Sequence, residues 1–392
     1  MRVERPDFNS DGSRLVADLR IADLSGGGLP TDAGTDQIYV VDFDLRRGEP
    51  GPRRCLTCDQ PGPNGYAKWS PDDRQILFGS QRVRNPGGPN AGGGWPFDDV
   101  WVMNADGSAP TQLTFSTGDA ADFHAVWSPD GTQVAWVHHG CTLDCYWELM
   151  IADYVSAPVP QLVAPRRLSA EADPSFYETQ DFTPDGRYLM VTITAEGVMN
   201  GESFLVDPRT GERVLRLTDS PYWDEQFHPS PDGRSVVQMS ARAHPGGTAE
   251  IQRRAYEANT PPLQDYKLVA QVAFTFSGSD GPRTDLYLID AEVGDARIRR
   301  LTYLGDDGLV IPEFGWSPDG RFLAWGGRRA GKPSQFLGLQ VLRFGPPCPG
   351  DCDADGRVDV SELLQGIAIA LGRTPPLACP WFGRKLGRDG SG

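Results

Sequence analysis

Twelve residues near the C-terminus, Asp-Cys-Asp-Ala-Asp-Gly-Arg-Val-Asp-Val-Ser-Glu at 351–362, set out oxygen ligands at the spacing a calcium loop requires. Such a loop takes ligands from positions 1, 3, 5, 7, 9 and 12 and needs glycine at position 6 for its tight turn. Those positions hold Asp351, Asp353, Asp355, the Arg357 carbonyl, Asp359 and Glu362, with Gly356 at the turn and Val358 in the apolar slot. Hard carboxylate oxygens in this pattern suit Ca²⁺, which tolerates mixed mono- and bidentate ligation. A helix is expected to start at Ser361 and to end near Gly372, ahead of Pro375.

Nitrogen and sulfur ligands are scarcer. There are five histidines. His124 stands three residues before Trp127, and His138 and His139 precede Gly-Cys-Thr-Leu-Asp-Cys at 140–145. His124, His138, His139, Cys141 and Cys145 could gather as a soft metal site. The plainer alternative is a disulfide-closed loop with surface histidines nearby. Six of the seven cysteines form local sets, Cys55/Cys58, Cys141/Cys145 and Cys348/Cys352, and Cys379 remains. Local pairs in a turn-rich chain fit disulfides of an exported protein better than reactive thiols. No G-x-S-x-G elbow, phosphate loop or dinucleotide fingerprint occurs, and no residue set reads as catalytic.

The elements that must hold these residues are short. With 46 glycines and 34 prolines in 392 residues, turns punctuate the chain too often for long helices. A formal net charge of -16, from 53 acids against 37 bases, repels phosphate backbones and argues against nucleic acid as a partner. No apolar run approaches the roughly 20 residues of a membrane helix.

Repetition sets the architecture. Six related segments start at Phe8, Trp69, Trp127, Phe182, Pro229 and Trp316, two of them reading Trp-Ser-Pro-Asp-Gly and the other four close to it, each followed by an apolar stretch. Their turn aspartates are Asp11, Asp72, Asp130, Asp185, Asp232 and Asp319. Proline presets the second turn position, aspartate suits the third, and glycine accepts the left-handed conformation that closes the loop. The second copy carries Asp73 in the glycine slot. A further strand follows most copies (38–42, 100–104, 149–153, 203–207, 286–290), and then a Leu-Thr or Leu-Ser segment (55–57, 112–114, 167–169, 216–218, 300–302). Each unit reads as four short antiparallel strands, and six such units predict an all-β, six-bladed propeller. The repeat's Trp is expected between neighbouring blades. The 87-residue interval from Asp232 to Asp319 leaves an excess over 241–284, an inter-strand insertion or, alternatively, a worn seventh blade.

These repeats resemble the TolB-type, Trp-Asp-like propeller repeat over roughly residues 5 to 344. Members of that family are mostly periplasmic or surface binding modules, and related repeats build the gating propeller of prolyl oligopeptidases and the body of oligogalacturonate lyases. Aligning the repeats places Tyr66, Thr179, Gln226 and Glu313 at the position of His124, with Arg5 in the first copy. This ring is expected to face the central channel, either to bind a ligand or, more plainly, to hydrate it. The metal-dependent lyase reading needs several channel histidines, and His124 and His228 alone come close.

Residues 1–344 thus form the expected propeller, 345–350 a stiff Pro-rich linker, and 351–392 a module resembling one half of a dockerin with a single EF-hand loop. A second loop fails to follow Cys379, which leaves cohesin binding open. The expected protein is a non-enzymatic, extracytoplasmic binding or assembly platform with bound Ca²⁺ and a protein or surface-glycan partner. The alternative is a polysaccharide-acting lyase or hydrolase, or a propeller that serves such an enzyme. No export leader is visible in Met-Arg-Val-Glu-Arg-Pro, and the last blade shows three strands, so the natural start is expected upstream of Met1.

Overall fold

The computed structural model describes residues 2–20, 36–84, 98–118, 120–141, 145–170, 175–194, 201–222, 224–244, 283–310, 313–329 and 332–344, with two helical residues, 364 and 368, in the tail. Residues 245–282 of the excess segment, the linker and the calcium loop lie outside the described residues.

Five four-stranded antiparallel sheets and one three-stranded sheet form six blades. The first is β1 (Arg2–Phe8), β2 (Arg14–Arg20), β3 (Gln37–Asp44) and β4 (Glu49–Cys55). The second is β5 (Asn64–Trp69), β6 (Gln75–Ser80), β7 (Asp99–Asn104) and β8 (Thr111–Gln112). The third is β9 (Ala121–Trp127), β10 (Gln133–Cys141), β11 (Cys145–Val155) and β12 (Gln161–Arg167). The fourth is β13 (Phe176–Phe182), β14 (Leu189–Thr194), β15 (Glu202–Val206) and β16 (Arg213–Arg216). The fifth is β17 (Asp224–Pro229), β18 (Ser235–Ser240), β19 (Asp285–Asp290) and β20 (Gly294–Arg300).

Ser240 pairs with Asp285 across β18 and β19, so 241–284 is an insertion between two strands of blade five. The sixth blade joins β22 (Phe314–Trp316), β23 (Phe322–Trp325) and β26 (Gln340–Arg343). A side sheet of β21 (Leu309–Val310), β24 (Arg328–Arg329) and β25 (Lys332–Phe336) stands beside it.

The six hairpin turns share one face because each touches the next. A Cβ placed on Gly131 would lie 3.7 Å from the Pro71 ring, and Gly186 and Gly233 stand likewise against Pro129 and Pro184. Gly320 meets Pro231, and Gly12 meets Pro318, which closes the circle from blade six to blade one. Each turn is held by its aspartate, which accepts the backbone N–H two residues on, as in Thr132 N to Asp130 Oδ1 at 3.0 Å. Two departures from the repeat answer one another. Blade one has Ser10 where other copies have proline, and blade two has Asp73, at φ +60°, where others have glycine. The Asp73 carboxylate accepts Ser10 N at 2.8 Å and Ser10 Oγ at 2.7 Å, replacing the proline–glycine contact with hydrogen bonds.

The Leu-Thr segments lie just past the fourth strand. Their leucines enter the core, and their hydroxyls accept the backbone N–H at the head of the third strand: Thr57 from Ile38, Thr114 from Val100, Thr218 from Ser203 and Thr302 from Leu286, all at 2.9–3.0 Å. An acid or amide beside each hydroxyl completes the device, as Glu202 does for Thr218 at 2.6 Å and Asp285 for Thr302 at 3.0 Å. The core itself lies between blades. Trp69 packs with Val16, Ile38 and Val40 of the preceding blade, and Trp127 packs with Leu77, Val100 and Val102. Burial of one such indole stabilises by roughly 2–3 kcal/mol. Phe322 and Ala324 of blade six pack with Val3, Phe8 and Leu15 of blade one.

Candidate functional site

An innermost strand with an ordinary ladder would turn its side chains alternately toward its two neighbours. Here the ladder is interrupted in five blades. One extra residue enters β1 between Glu4 and Asp7, β5 between Gly65 and Lys68, β9 between Phe123 and Val126, β13 between Thr179 and Asp181, and β17 between Glu225 and Phe227. Such bulges re-aim side chains. Arg5 (φ 52°), Tyr66 (φ 58°), His124 (φ 53°) and Gln226 (φ 48°) sit there in the left-handed region, which costs a bulky residue about 1–2 kcal/mol.

These four residues, with Thr179 and Glu313, line an open axial pocket. The structure therefore brings together the whole ring aligned from the repeats. It adds Lys68, Gln180 and His228 to the lining. Lys68 and His228 stand two residues beyond ring positions, as do Asp7 and Asp181, so the same alignment could have shown them. Arg5 is tied on both sides, Nη1 to Asp18 Oδ2 at 3.0 Å and Nε to Glu313 Oε1 at 2.7 Å. Its guanidinium lies 3.5 Å over the Tyr66 ring, and the Tyr66 ring lies 4.3 Å from that of His124, tilted by 44°. Asp18 also accepts Tyr66 N at 2.8 Å. His124 Nδ1 meets Glu178 Oε1 at 2.8 Å, and Thr179 Oγ1 donates to the His124 carbonyl.

Burial dominates the electrostatics. It pushes the Asp18 carboxyl up to about 6 against the pull of Arg5. It drives His124 well below the usual imidazole range, aided by the Arg5 charge, and raises Glu178, so that their contact favours two uncharged groups. Two residues further along the innermost strands the balance reverses. Burial works against the Lys68 ammonium, yet Asp7, Asp181 and Glu313 outweigh it and raise its pKa. Burial also disfavours charge on Asp181, but His228 and Lys68 more than offset it. Behind the ring, Asp98 is pushed up to about 8 by burial, a feature that the sequence did not single out.

The other histidine positions diverge. His138 Nδ1 bonds Asp122 at 2.8 Å, and the same oxygen accepts Trp136 Nε1 at 2.9 Å. His139, next in the strand, is buried on the opposite side of the sheet, 4.3 Å from the Trp147 ring. With His124 in the axial pocket, the three imidazoles occupy three environments. Cys141 and Cys145 face each other across β10 and β11, and their side chains lie outside the description. Cys55 and Cys58 form a disulfide at the end of β4. Cys348, Cys352 and Cys379, and the calcium ligands Asp351, Asp353, Asp355, Arg357, Asp359 and Glu362, fall outside the described residues.

No family model matches the chain. An uncharacterized protein of Agrobacterium fabrum is 28% identical over 141 residues, which cover 36% of this chain and 42% of that protein. The chain thus spans well under half the length of this curated relative. Among solved structures, TolB from Acinetobacter baumannii aligns with a TM-score of 0.50 at 14% identity, covering 85% of this chain and 64% of that one. A TolB-like structure from Agrobacterium tumefaciens gives 0.49 at 17%, covering 88% and 90%. The likeness is one of fold. This chain is a six-bladed β-propeller. Among its described residues no helix is long and apolar enough to cross a membrane.

Proposed function

We propose that the protein is a non-enzymatic binding propeller, acting outside the cytoplasm, that recognises its ligand at the axial pocket. Its C-terminal module binds Ca²⁺ through residues 351–362 and docks to a second protein. One observation carries the reading: four of the six ring residues are held in a strained backbone conformation at bulges that direct them to one pocket. Hydration of a channel asks for no such strain, whereas strain of this kind gathers at ligand sites. The lining mixes Arg5, Lys68 and Glu313 with Tyr66, Thr179, Gln180 and Gln226, which suits a hydrogen-bonding ligand such as an extended protein segment or a surface glycan.

The test is affinity capture from envelope extract, with and without Ca²⁺, using the full chain, its Gln226→Gly variant and residues 1–344. The axial variant should lose one partner selectively, and the truncation should lose a different, Ca²⁺-dependent one. An unchanged set of partners for Gln226→Gly would remove the axial pocket from the function. Release of unsaturated uronides from pectic oligomers would replace the binding reading with a lyase.

A further inference from the structure

Blade five departs from its siblings at one place on the face opposite the hairpin turns. In the repeat device, the acid heading the third strand is met by a residue of the fourth: Asp99 accepts a hydrogen bond from Gln112 at 3.1 Å, and Glu202 pairs with Arg216 at 3.2 Å. In blade five the pair is Asp285 and Arg300, at 2.6 Å. An outer acid shares the guanidinium nitrogen in blade four as well, where Asp219 lies 2.8 Å from Arg216, and blade five adds His244. Asp306 takes the same Arg300 nitrogen at 2.8 Å, and His244 brings Nε2 to 3.4 Å from Asp285 Oδ2 and 3.3 Å from Asp306 Oδ1.

We propose that His244, Asp285 and Asp306 bind a divalent cation of the Zn²⁺ or Co²⁺ class, and that Arg300 holds the place of the metal when it is absent. The spacing is that of a coordination shell. Ligands about 2.0–2.1 Å from a tetrahedral metal stand roughly 3.3–3.4 Å from one another. The two separations from His244 Nε2 match that edge and are long for hydrogen bonds. His244 Nε2 is buried and makes no hydrogen bond among the described residues, although it faces two carboxylates. The close approach is permitted by Gly305, where a Cβ would collide with both His244 Nε2 and Asp285 Oδ2. Asp285 is already oriented as a ligand's carboxylate should be, its other oxygen accepting Thr302 Oγ1 at 3.0 Å and Gly305 N at 3.2 Å.

Charge points the same way. Once Arg300 is displaced, the two carboxylates leave a double negative charge that a dication neutralises. One imidazole with two carboxylates favours a borderline metal over Ca²⁺. On binding, Arg300 would withdraw toward the Tyr303 ring, 4.4 Å from its guanidinium.

The experiment titrates the full chain with Co²⁺ near pH 7.5, in excess Ca²⁺ to fill hard-oxygen sites, and follows the visible absorption of four-coordinate cobalt. One equivalent should bind, and Zn²⁺ should displace it. His244→Ala and Asp306→Asn should each weaken this binding by about 100-fold or more, since losing a ligand exceeds the loss of a supporting contact. Asp306 is half-exposed, so its variant tests the site without disturbing the core. Arg300→Gln should tighten binding by about tenfold or more, because the competing cation is gone. Cobalt binding that survives unchanged in His244→Ala and Asp306→Asn would overturn the proposal. So would an Arg300→Gln protein that binds no tighter than the parent.

Discussion

The backbone strain at the axial ring can be isolated by substituting two of its members in parallel. Gln226 stands at φ +48°, whereas Thr179, at the matching position of blade four, keeps an ordinary negative φ. At Thr179, glycine should be less stable than alanine by about 0.5–1 kcal/mol, the usual entropic deficit of glycine in a strand. At Gln226 alanine retains a left-handed penalty of about 1–2 kcal/mol that glycine escapes. The order should therefore invert, with Gln226→Gly more stable than Gln226→Ala by about 0.5–1 kcal/mol. Side-chain contributions cancel within each pair, since both Thr179 variants lose the bond to the His124 carbonyl and both Gln226 variants lose the amide. The assay is urea unfolding of the four proteins at one pH, followed by tryptophan fluorescence. If alanine is at least as stable as glycine at position 226, the ring is not strained, and the main support for a ligand site there is gone.

Asp98, at about 8 when folded against 3.8 as its ordinary value, binds its proton more tightly in the folded state. Its stabilisation is full below about pH 4 and is lost as pH rises toward 8, at about 1.4 kcal/mol per pH unit within that window. Asp98→Asn should flatten this fall, as urea midpoints from pH 5 to 8 will show. Asp73→Ala keeps a left-handed residue and removes both bonds to Ser10, so it should cost about 2–3 kcal/mol, while Asp73→Gly should cost less than half of that; equal losses in thermal denaturation would contradict this account. Trp127→Ala should destabilise by about 3–5 kcal/mol, because it empties the contact between blades two and three; a loss below 1 kcal/mol would show that the contact is dispensable. In the C-terminal loop, calorimetric titration should give a Ca²⁺ dissociation constant of about 10⁻⁵ to 10⁻³ M, weakened most by Glu362→Gln, and no heat at millimolar Ca²⁺ would end that reading.

The sequence by itself determined the architecture, because the propeller is built from local instructions repeated six times. A Pro-Asp-Gly turn, an alternating apolar strand and a Leu-Thr cap each act within a few residues, so their order along the chain carries the blade count. The same alignment named Arg5, Tyr66, His124, Thr179, Gln226 and Glu313 as one set, since equivalent positions of equivalent blades must meet at the axis. Three kinds of fact were decided only by tertiary structure. Whether 241–284 was a blade or an insertion depended on Ser240 pairing with Asp285 across a gap that no local signal spans. The left-handed bulges also escaped the sequence, because residues such as Gln226 and Arg5 have no preference for that conformation and are forced into it by the ladder around them. The buried acids Asp98 and Glu178 look like surface residues in a chain of net charge -16. Their neutral forms follow from desolvation, which exists only once neighbouring blades close over them.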